Sequence, residues 1–216
     1  MKAQPECTPV SVEAKVVSAS FTGFFYIESD DRACGIRVDK ANHGLAAGMR
    51  ADVTGNVQTN ADGERFISAA AAMQNGTGSV KPVGLCNRYV GGGDQGLQPG
   101  VFGSMGLNNI GLLVKTWGCV TLSGRGWFYM DDGSGVEDGS GFVGVYVDAY
   151  GMNAPALGSY VAVAGVSSCE ILDGKAVNVL RPRSQPDIVV AFQPLGRSLD
   201  ASGESPSDPR GATGAR

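Results

Sequence analysis

Phe25-Tyr26-Ile27-Glu28 recurs later in the sequence as Phe128-Tyr129-Met130-Asp131, and this repeated aromatic stretch indicates how the chain is organised. Three further matches follow in the same order, pairing residues 35–38 with 144–147, 48–55 with 158–165, and 62–63 with 173–174. The spacing between the copies changes mainly through an insertion over residues 133–142. Because the order of the matches is kept, the chain contains a duplicated domain.

Each copy has the pattern of five short β-strands. Apolar and polar residues alternate as in half-buried strands, and polar turns that contain glycine separate them. The strands are predicted over residues 12–19, 24–28, 35–38, 50–57 and 65–73, and again over 114–122, 127–131, 142–147, 160–166 and 175–180. Strands this short bury a core most easily by closing into a small barrel, which also removes the sheet edges. The predicted fold class is therefore all-β, with two tandem five-stranded OB-fold-like barrels and very little helix.

The remaining segments set the domain boundaries. Barrel 1 is predicted over residues 8–83 and barrel 2 over 112–190, joined by an irregular Gly-rich connector over 84–111. Residues 191–216 are rich in Ser, Gly, Pro and Asp without periodicity, and we expect them to be disordered. Gly55 and Gly165 are predicted at equivalent positions at the end of the fourth strand, where glycine permits a bulge or a positive φ.

The composition argues against several classes of protein. The 216 residues carry a net charge of −4 with a pI of about 5.0, whereas proteins that neutralise nucleic-acid phosphates usually have a basic balance. No apolar run reaches the roughly 18 residues of a transmembrane helix, so no membrane span is predicted. The five cysteines lack a Cys-x-x-Cys pair, which disfavours a zinc knuckle or a thioredoxin-type motif. They are predicted to be buried small side chains, with disulfides an open alternative if the chain is exported.

Several motifs resemble those of a known group of modules. The run from Gly48 to Gly55 (GMRADVTG), coming after Phe25–Glu28, resembles OB barrels of the tRNA anticodon-binding and helicase-wedge type. The run LNNIGLLVKTWG over residues 107–118 is similar to tandem OB modules at the ends of large bacterial secreted or surface proteins, as are residues 62–65 and 181–183. The resemblance covers about residues 8–190. Its one departure is the opening Pro-Glu-Cys-Thr-Pro at residues 5–9, where Pro-Asp-Gly-Thr-Pro is usual.

The resemblance implies a non-catalytic module without a cofactor, in an extracellular setting. The first ten residues, MKAQPECTPV, contain no apolar signal-peptide region. The resemblance accounts for this if the sequence belongs to a longer architecture, and a cytoplasmic location stays open.

Catalytic and metal-binding patterns are weak. His43 is the single histidine, and its Asn-His-Gly context predicts a turn in which the histidine tolerates a left-handed backbone. The glycines at 91–93 lack the Lys-Ser/Thr that completes a phosphate-binding loop. An acidic, Gly-rich turn predicts a solvated hairpin, with Ca²⁺ binding as the minority hypothesis. The candidate ligands for that ion are Asp131, Asp132, Glu137 and Asp138.

Strand alternation singles out an aromatic face on each copy. If Phe25 and Ile27 point into the first barrel, the side chains of the next residues along the strand point outward. This places Phe24, Tyr26 and Arg37 on the outer face of the first copy, and Trp127, Tyr129 and Tyr146 on that of the second. OB barrels commonly stack bases or sugars there, which makes these residues candidate ligand-binding residues. The alternative is that the aromatic residues pack against the other barrel or under the connector.

Two functional classes follow. The first is a non-catalytic binding or spacer module of a bacterial secreted or surface protein, contacting a glycan or another protein. The second is a single-stranded nucleic-acid-binding OB-fold protein. Residues 8–83 contain seven Lys/Arg and eight Asp/Glu, and residues 112–190 contain five and eight. Acidic turns beside the aromatic faces repel phosphates, which favours the first class.

Overall fold

The structure is a computed structural model that describes residues 1–194, 207, 208 and 210, and it consists almost entirely of β-strands. The strands are β1 (Pro9–Phe21), β2 (Phe24–Glu28), β3 (Gly35–Asp39), β4 (Met49–Thr59), β5 (Arg65–Thr77), β6 (Val83–Gly84), β7 (Leu113–Gly124), β8 (Trp127–Asp131), β9 (Val145–Asp148), β10 (Tyr160–Leu172), β11 (Lys175–Arg181) and β12 (Ile188–Phe192). Within the described residues the helical elements are two short 3₁₀ turns, Asn87–Tyr89 and Gln185–Asp187. The all-β prediction is therefore confirmed, and none of the described helices has the length or apolarity to cross a membrane.

The first sheet contains five strands in the order β1-β2-β3-β5-β4, and it closes on itself because β4 also pairs with β1. The pairing of β3 with β5 is parallel, and the others are antiparallel. Strand β1 changes register against both of its neighbours, and Ala14 at one of these irregularities has a φ of 50°. Such bulges bend a long strand, which lets β1 pair along both of its edges.

The second sheet repeats this arrangement and adds two strands. Its order is β12-β10-β11-β9-β8-β7-β6, with an additional pairing of β10 with β7. Five strands were expected. The extra β6 pairs in parallel with β7, and β12 pairs with β10 directly after a 3₁₀ turn. Neither extra strand shows the alternation on which the prediction depended, because β6 has two residues and β12 is exposed along most of its length.

The predicted disordered tail begins within this sheet, because residues 191 and 192 belong to β12. Asp208 and Arg210 make contacts described below. The prediction for residues 195–206, 209 and 211–216 lies outside the described residues.

The inward-facing side chains are those that alternation predicts. Phe25 and Ile27 lie in the core of the first sheet, and Phe128 and Met130 lie in the core of the second. The connector is packed rather than loose, because Val101 and Ile110 form a buried cluster with Cys169 and Ala176 of the second sheet. It also meets the first sheet backbone to backbone: a Cβ added to Gly35 would lie 2.2 Å from the carbonyl oxygen of Gly111.

Glu28 connects the end of β2 to the start of β7. Its Oε1 accepts a hydrogen bond of 2.5 Å from the backbone nitrogen of Leu113, whereas the buried Oε2 has no hydrogen-bond partner among the described residues. Burial raises the pKa of Glu28 to about 7, because desolvation of the carboxylate outweighs the bond from Leu113. The junction between the two sheets therefore contains a carboxyl group that favours its protonated form.

Gly55 and Gly165 are needed for a different reason from the one expected. Both lie inside their strands, β4 and β10, and neither has a positive φ, so that part of the prediction is wrong. The register of β4 against β5 does shift at Gly55, so the bulge that was predicted as the alternative to a positive φ is present there. A Cβ at Gly55 would lie 2.2 Å from the carbonyl oxygen of Ser68, and one at Gly165 would lie 2.8 Å from that of Arg181. Close approach of the neighbouring backbone, rather than backbone conformation, requires glycine at both positions.

Replacing Gly55 by Ala should destabilise the protein by about 1–3 kcal/mol, because the added methyl group forces the backbone of β5 to move. Urea unfolding of the full chain measures this. Gly84→Ala is the control, because a Cβ there meets no atom within 4 Å, and its effect should stay within about 0.5 kcal/mol. Equal stability of the two variants would contradict the close-approach argument.

Replacing Glu28 by Gln should remove a pH dependence of stability. The folded pKa of about 7 lies above the ordinary value of 4.5, so between these values the folded protein holds a proton that the unfolded chain releases. The free energy of unfolding of the native chain should therefore fall by roughly 3 kcal/mol as the pH rises from 4.5 to 7. Urea titrations across this range should show a smaller fall for Glu28→Gln. The exposed Glu13→Gln is the control and should behave like the native chain.

Candidate binding site

The aromatic face of the first copy lies at the junction of the two sheets. Tyr26 is fully buried, and its hydroxyl donates to Oε2 of Glu64 at 3.1 Å and lies 3.4 Å from Oγ of Ser168, in β10. The guanidinium group of Arg37 stacks on the Phe24 ring at 3.9 Å and donates from Nε to Oδ1 of Asp39 at 2.6 Å. Phe24, Tyr26 and Arg37 therefore do come together, but Tyr26 packs against the second sheet instead of facing solvent.

Glu64 is the residue of this junction that the sequence analysis missed. It is 1% exposed, and its Oε2 also accepts a hydrogen bond of 3.0 Å from Oγ of Ser168. Burial raises the pKa of Glu64, although the charges of Arg37 and Arg181 oppose this rise. A glutamate beside an Asp-Gly turn has the sequence pattern of a solvated residue. Its burial follows from the docking of the second sheet.

The aromatic face of the second copy is a cluster of three rings on β8 and β9. The ring centroids of Trp127 and Tyr146 are 6.2 Å apart and nearly parallel, and those of Tyr129 and Tyr146 are 5.3 Å apart in an edge-on arrangement. All three residues are buried: Trp127 is 4% exposed, Tyr129 0% and Tyr146 3%. The three rings are therefore buried and do not form an open platform, which agrees with the packing alternative on exposure. Part of the cover is Phe142, whose ring centroid lies 5.6 Å from that of Tyr129.

The other part of the cover is Arg210, which comes from far along the chain. Its guanidinium carbon lies 4.1 Å from the ring centroid of Tyr146 and 5.5 Å from that of Tyr129. Nε donates to Oη of Tyr129 at 3.1 Å, and Nη1 donates to the carbonyl oxygen of Asn178 at 2.8 Å. Nη2 forms an ion pair with Asp138. Every nitrogen of the guanidinium group therefore has an acceptor.

Asp138 supplies the negative charge of this pocket. It is 1% exposed, and its carboxylate accepts hydrogen bonds from the hydroxyl of Tyr129 at 2.8 Å and from the backbone nitrogen of Ser140 at 2.8 Å. Burial works against ionisation, but the hydrogen bonds from Ser140 and the charge of Arg210 outweigh it and lower the pKa of Asp138. The carboxylate is therefore ionised at neutral pH.

Asp208 is the second residue of the distant segment that reaches the cluster. Its Oδ2 accepts a hydrogen bond of 2.9 Å from the hydroxyl of Tyr146, and its Oδ1 accepts one of 3.0 Å from the backbone nitrogen of Arg210. Burial, and next the nearby charge of Asp208, raise the pKa of Tyr146, so its hydroxyl keeps its proton and donates. The pocket thus contacts two side chains of the segment, one basic and one acidic.

The candidate calcium ligands have other roles. Asp131 accepts hydrogen bonds from the backbone nitrogens of Gly133 and Gly135, and Asp132 accepts one of 2.8 Å from the backbone nitrogen of Asn87. Asp138 is paired with Arg210. In the part of the chain that the structure describes, no three His, Cys, Asp or Glu side chains are grouped so as to hold a metal ion, Glu137 included. The carboxylates instead stabilise the loop between β8 and β9.

His43 has a structural role at the end of the first sheet. Its Nε2 lies 3.0 Å from the carbonyl oxygen of Phe21, and its Nδ1 accepts a hydrogen bond of 3.1 Å from the backbone nitrogen of Leu45. The left-handed conformation was predicted for the wrong residue, because Asn42 and Gly44 have positive φ and His43 does not.

The cysteines are all unpaired. The expected burial holds for Cys169 alone, since Cys7 and Cys119 are exposed and the other two are intermediate.

The second-copy pocket is the best candidate for a functional site. Aromatic faces attract cations, and a buried carboxylate among them selects a positively charged group that donates hydrogen bonds. No family model, curated protein or solved structure matches the chain. Sequence reasoning found the three aromatic residues but missed Arg210, Asp138 as its ion-pair partner, and Asn178. The first of these lay in the segment predicted to be disordered.

Replacing Arg210 by Ala should uncover the aromatic cluster and leave Asp138 without its ion pair. In a Trp117→Phe background Trp127 is the remaining tryptophan, and its ring lies 6.2 Å from that of Tyr146, on which Arg210 stacks, so its fluorescence reports on the cluster. We expect blue-shifted, quencher-protected emission before the change and red-shifted, quencher-accessible emission after it, with a loss of about 1–3 kcal/mol of stability. Arg88→Ala, at an exposed arginine, is the control. Unchanged quenching in Arg210→Ala would show that Arg210 does not cover Trp127.

Proposed function

We propose that the chain is a non-catalytic binding module of a bacterial secreted or surface protein, built on two OB-type barrels, which takes a protein partner on the aromatic face of its second copy. The strand order supports the OB assignment. Strands β1-β2-β3-β5-β4 with β4 returning to β1 correspond to β7-β8-β9-β11-β10 with β10 returning to β7. This is the closed five-stranded arrangement that the OB assignment requires.

One observation carries the functional proposal: the same face of each copy already contacts a polypeptide. Tyr26 and Tyr129 are equivalent residues of the repeat, and each donates its hydroxyl to a buried carboxylate. In the first copy this pair, Tyr26 with Glu64, faces Ser168 of the second sheet. In the second copy the pair, Tyr129 with Asp138, holds the Arg210 side chain. A face that binds protein groups in both copies favours a protein as the external partner.

Charge separates the protein proposal from the glycan and nucleic-acid alternatives. The carboxylate of Asp138 lies beside the hydroxyl of Tyr129 and attracts a cation, whereas a neutral sugar gives it no countercharge. A phosphate placed there would face this carboxylate and the acidic loop that contains Asp131 and Asp132. Lysine and arginine side chains are the cations that a protein surface offers.

The residues available for catalysis have structural partners, which supports a non-catalytic role. Both ring nitrogens of His43 contact backbone atoms, and Glu64 lies inside the junction of the sheets. The Cys169 thiol is buried, and burial raises its pKa well above the usual value, which disfavours the thiolate.

The proposal predicts a ranking of ligands for the Trp117→Phe, Arg210→Ala chain, in which the pocket has lost its own arginine. N-acetylarginine amide should perturb the fluorescence of Trp127. A neutral disaccharide should not, and a labelled single-stranded oligonucleotide should bind no more tightly than the roughly 1–100 µM of non-specific contacts. Polarisation at low and physiological salt measures the last value. Salt-sensitive nanomolar binding of the oligonucleotide, weakened in Tyr146→Phe, would instead favour the nucleic-acid function.

A further inference from the structure

The proposed function leaves open what kind of protein segment fits the pocket, and the contacts of Asp208 and Arg210 give the answer. These two residues are separated by one position, and each meets a different group of the same cluster. Arg210 is 8% exposed although it lies far in sequence from the strands that surround it. A side chain this polar is buried only where its hydrogen bonds and its charge are satisfied.

The contacts of the guanidinium group select arginine over lysine. Its Nε, Nη1 and Nη2 meet three acceptors that lie in different directions, on Tyr129, Asn178 and Asp138. The planar group also stacks on Tyr146, with its carbon 4.1 Å from the ring centroid. An ammonium group has no planar face for this stacking, and its three hydrogens diverge from one point.

The contacts of Asp208 add a second requirement for the ligand, which is a carboxylate two residues before the arginine. The hydroxyl of Tyr146 donates to this carboxylate at 2.9 Å, while the ring of the same tyrosine carries the guanidinium group. The other oxygen of Asp208 accepts a hydrogen bond of 3.0 Å from the backbone nitrogen of Arg210, which fixes these two residues relative to each other. The pocket therefore contacts both residues of an Asp-x-Arg sequence and not an arginine alone.

An empty pocket is unfavourable, which accounts for the chain filling it with its own segment. Asp138 is buried and ionised, and without Arg210 its charge has no countercharge in the cluster. A buried charge that loses its partner is strongly destabilising. A segment of the same chain also competes at an effective concentration of the order of millimolar, so it occupies a site of modest affinity.

We propose that this pocket is a recognition site for an Asp-x-Arg segment, and that Asp208 and Arg210 are the resident intramolecular copy of its ligand. This inference rests on the proposed function, since it names the ligand of the same site. A partner protein binds by presenting an Asp-x-Arg segment that displaces the resident copy. The affinity of the isolated chain for such a partner is therefore reduced by its own segment.

A fluorescent peptide with the sequence of residues 205–213, SPSDPRGAT, tests the inference by polarisation against the full chain. Arg210→Ala should bind this peptide at least about tenfold more tightly than the native chain, because its resident copy is weakened. Arg88→Ala, at an exposed arginine, is the matched control and should bind like the native chain. Equal binding by the native chain and Arg210→Ala would overturn the intramolecular part of the inference.

Peptide variants test the ligand itself on the Arg210→Ala chain. Changing the arginine of the peptide to lysine, or its aspartate to asparagine, should weaken binding several-fold, and a scrambled peptide should not bind. Tyr146→Phe keeps the ring and loses the hydroxyl, so it should abolish the preference for aspartate while arginine still binds. Circular dichroism confirms that each variant is folded. A peptide preference that Tyr146→Phe leaves unchanged would overturn the assignment of Asp208 to that hydroxyl.

The two proposals fail in different ways. If N-acetylarginine amide does not perturb Trp127 in the Trp117→Phe, Arg210→Ala chain, the pocket does not bind arginine and the proposed function fails. If the amide binds and the Asp-x-Arg peptide binds no better than the amide, the proposed function stands and the inference is wrong.

Discussion

Burying a carboxylate is costly unless hydrogen bonds and a positive charge compensate it, and two buried carboxyl groups of this structure have both. In each copy a tyrosine of the second strand donates its hydroxyl to the carboxylate, Tyr26 to Glu64 and Tyr129 to Asp138. Arginine side chains then provide the charge. In the first copy the contacts of Glu64 join the two sheets. In the second copy the contacts of Asp138 hold the side chain of Arg210. The relative position of the sheets and the closure of the pocket both depend on these two buried groups.

The connector shows a second way in which the sheets are fixed. The buried amino group of Lys2 donates to Oδ1 of Asn108 at 2.9 Å and to the carbonyl oxygen of Ile110 at 2.5 Å. Near these contacts the backbones of Gly35 and Gly111 meet without intervening side chains. The residues between the sheets are therefore a packed layer with its own polar contacts, which is why a Gly-rich sequence of this length is ordered.

The sequence predicted the strands and the inward side chains because both follow from short-range alternation. Phe25, Ile27, Phe128 and Met130 could be assigned to the cores because the side chains of a strand alternate between its two faces. The same alternation identified the outer aromatic residues correctly. Alternation does not predict which residues pack against the outer aromatic side chains, because it describes the two faces of a single strand. The contacts of Tyr26 with Ser168 and of Tyr146 with Asp208 join residues more than sixty positions apart, for which the sequence carries no local signal.

The duplication is not matched by internal symmetry. The outer face of the first copy meets Ser168 on β10 of the second copy, whereas the corresponding face of the second copy meets Asp208 and Arg210. The copies are thus arranged head to tail, and a head-to-tail contact does not use up the same surface on both partners. One of the two equivalent faces is permanently committed to holding the molecule together. The other is covered in part by Phe142 and in part by Arg210, so two equivalent faces of the repeat have acquired different neighbours.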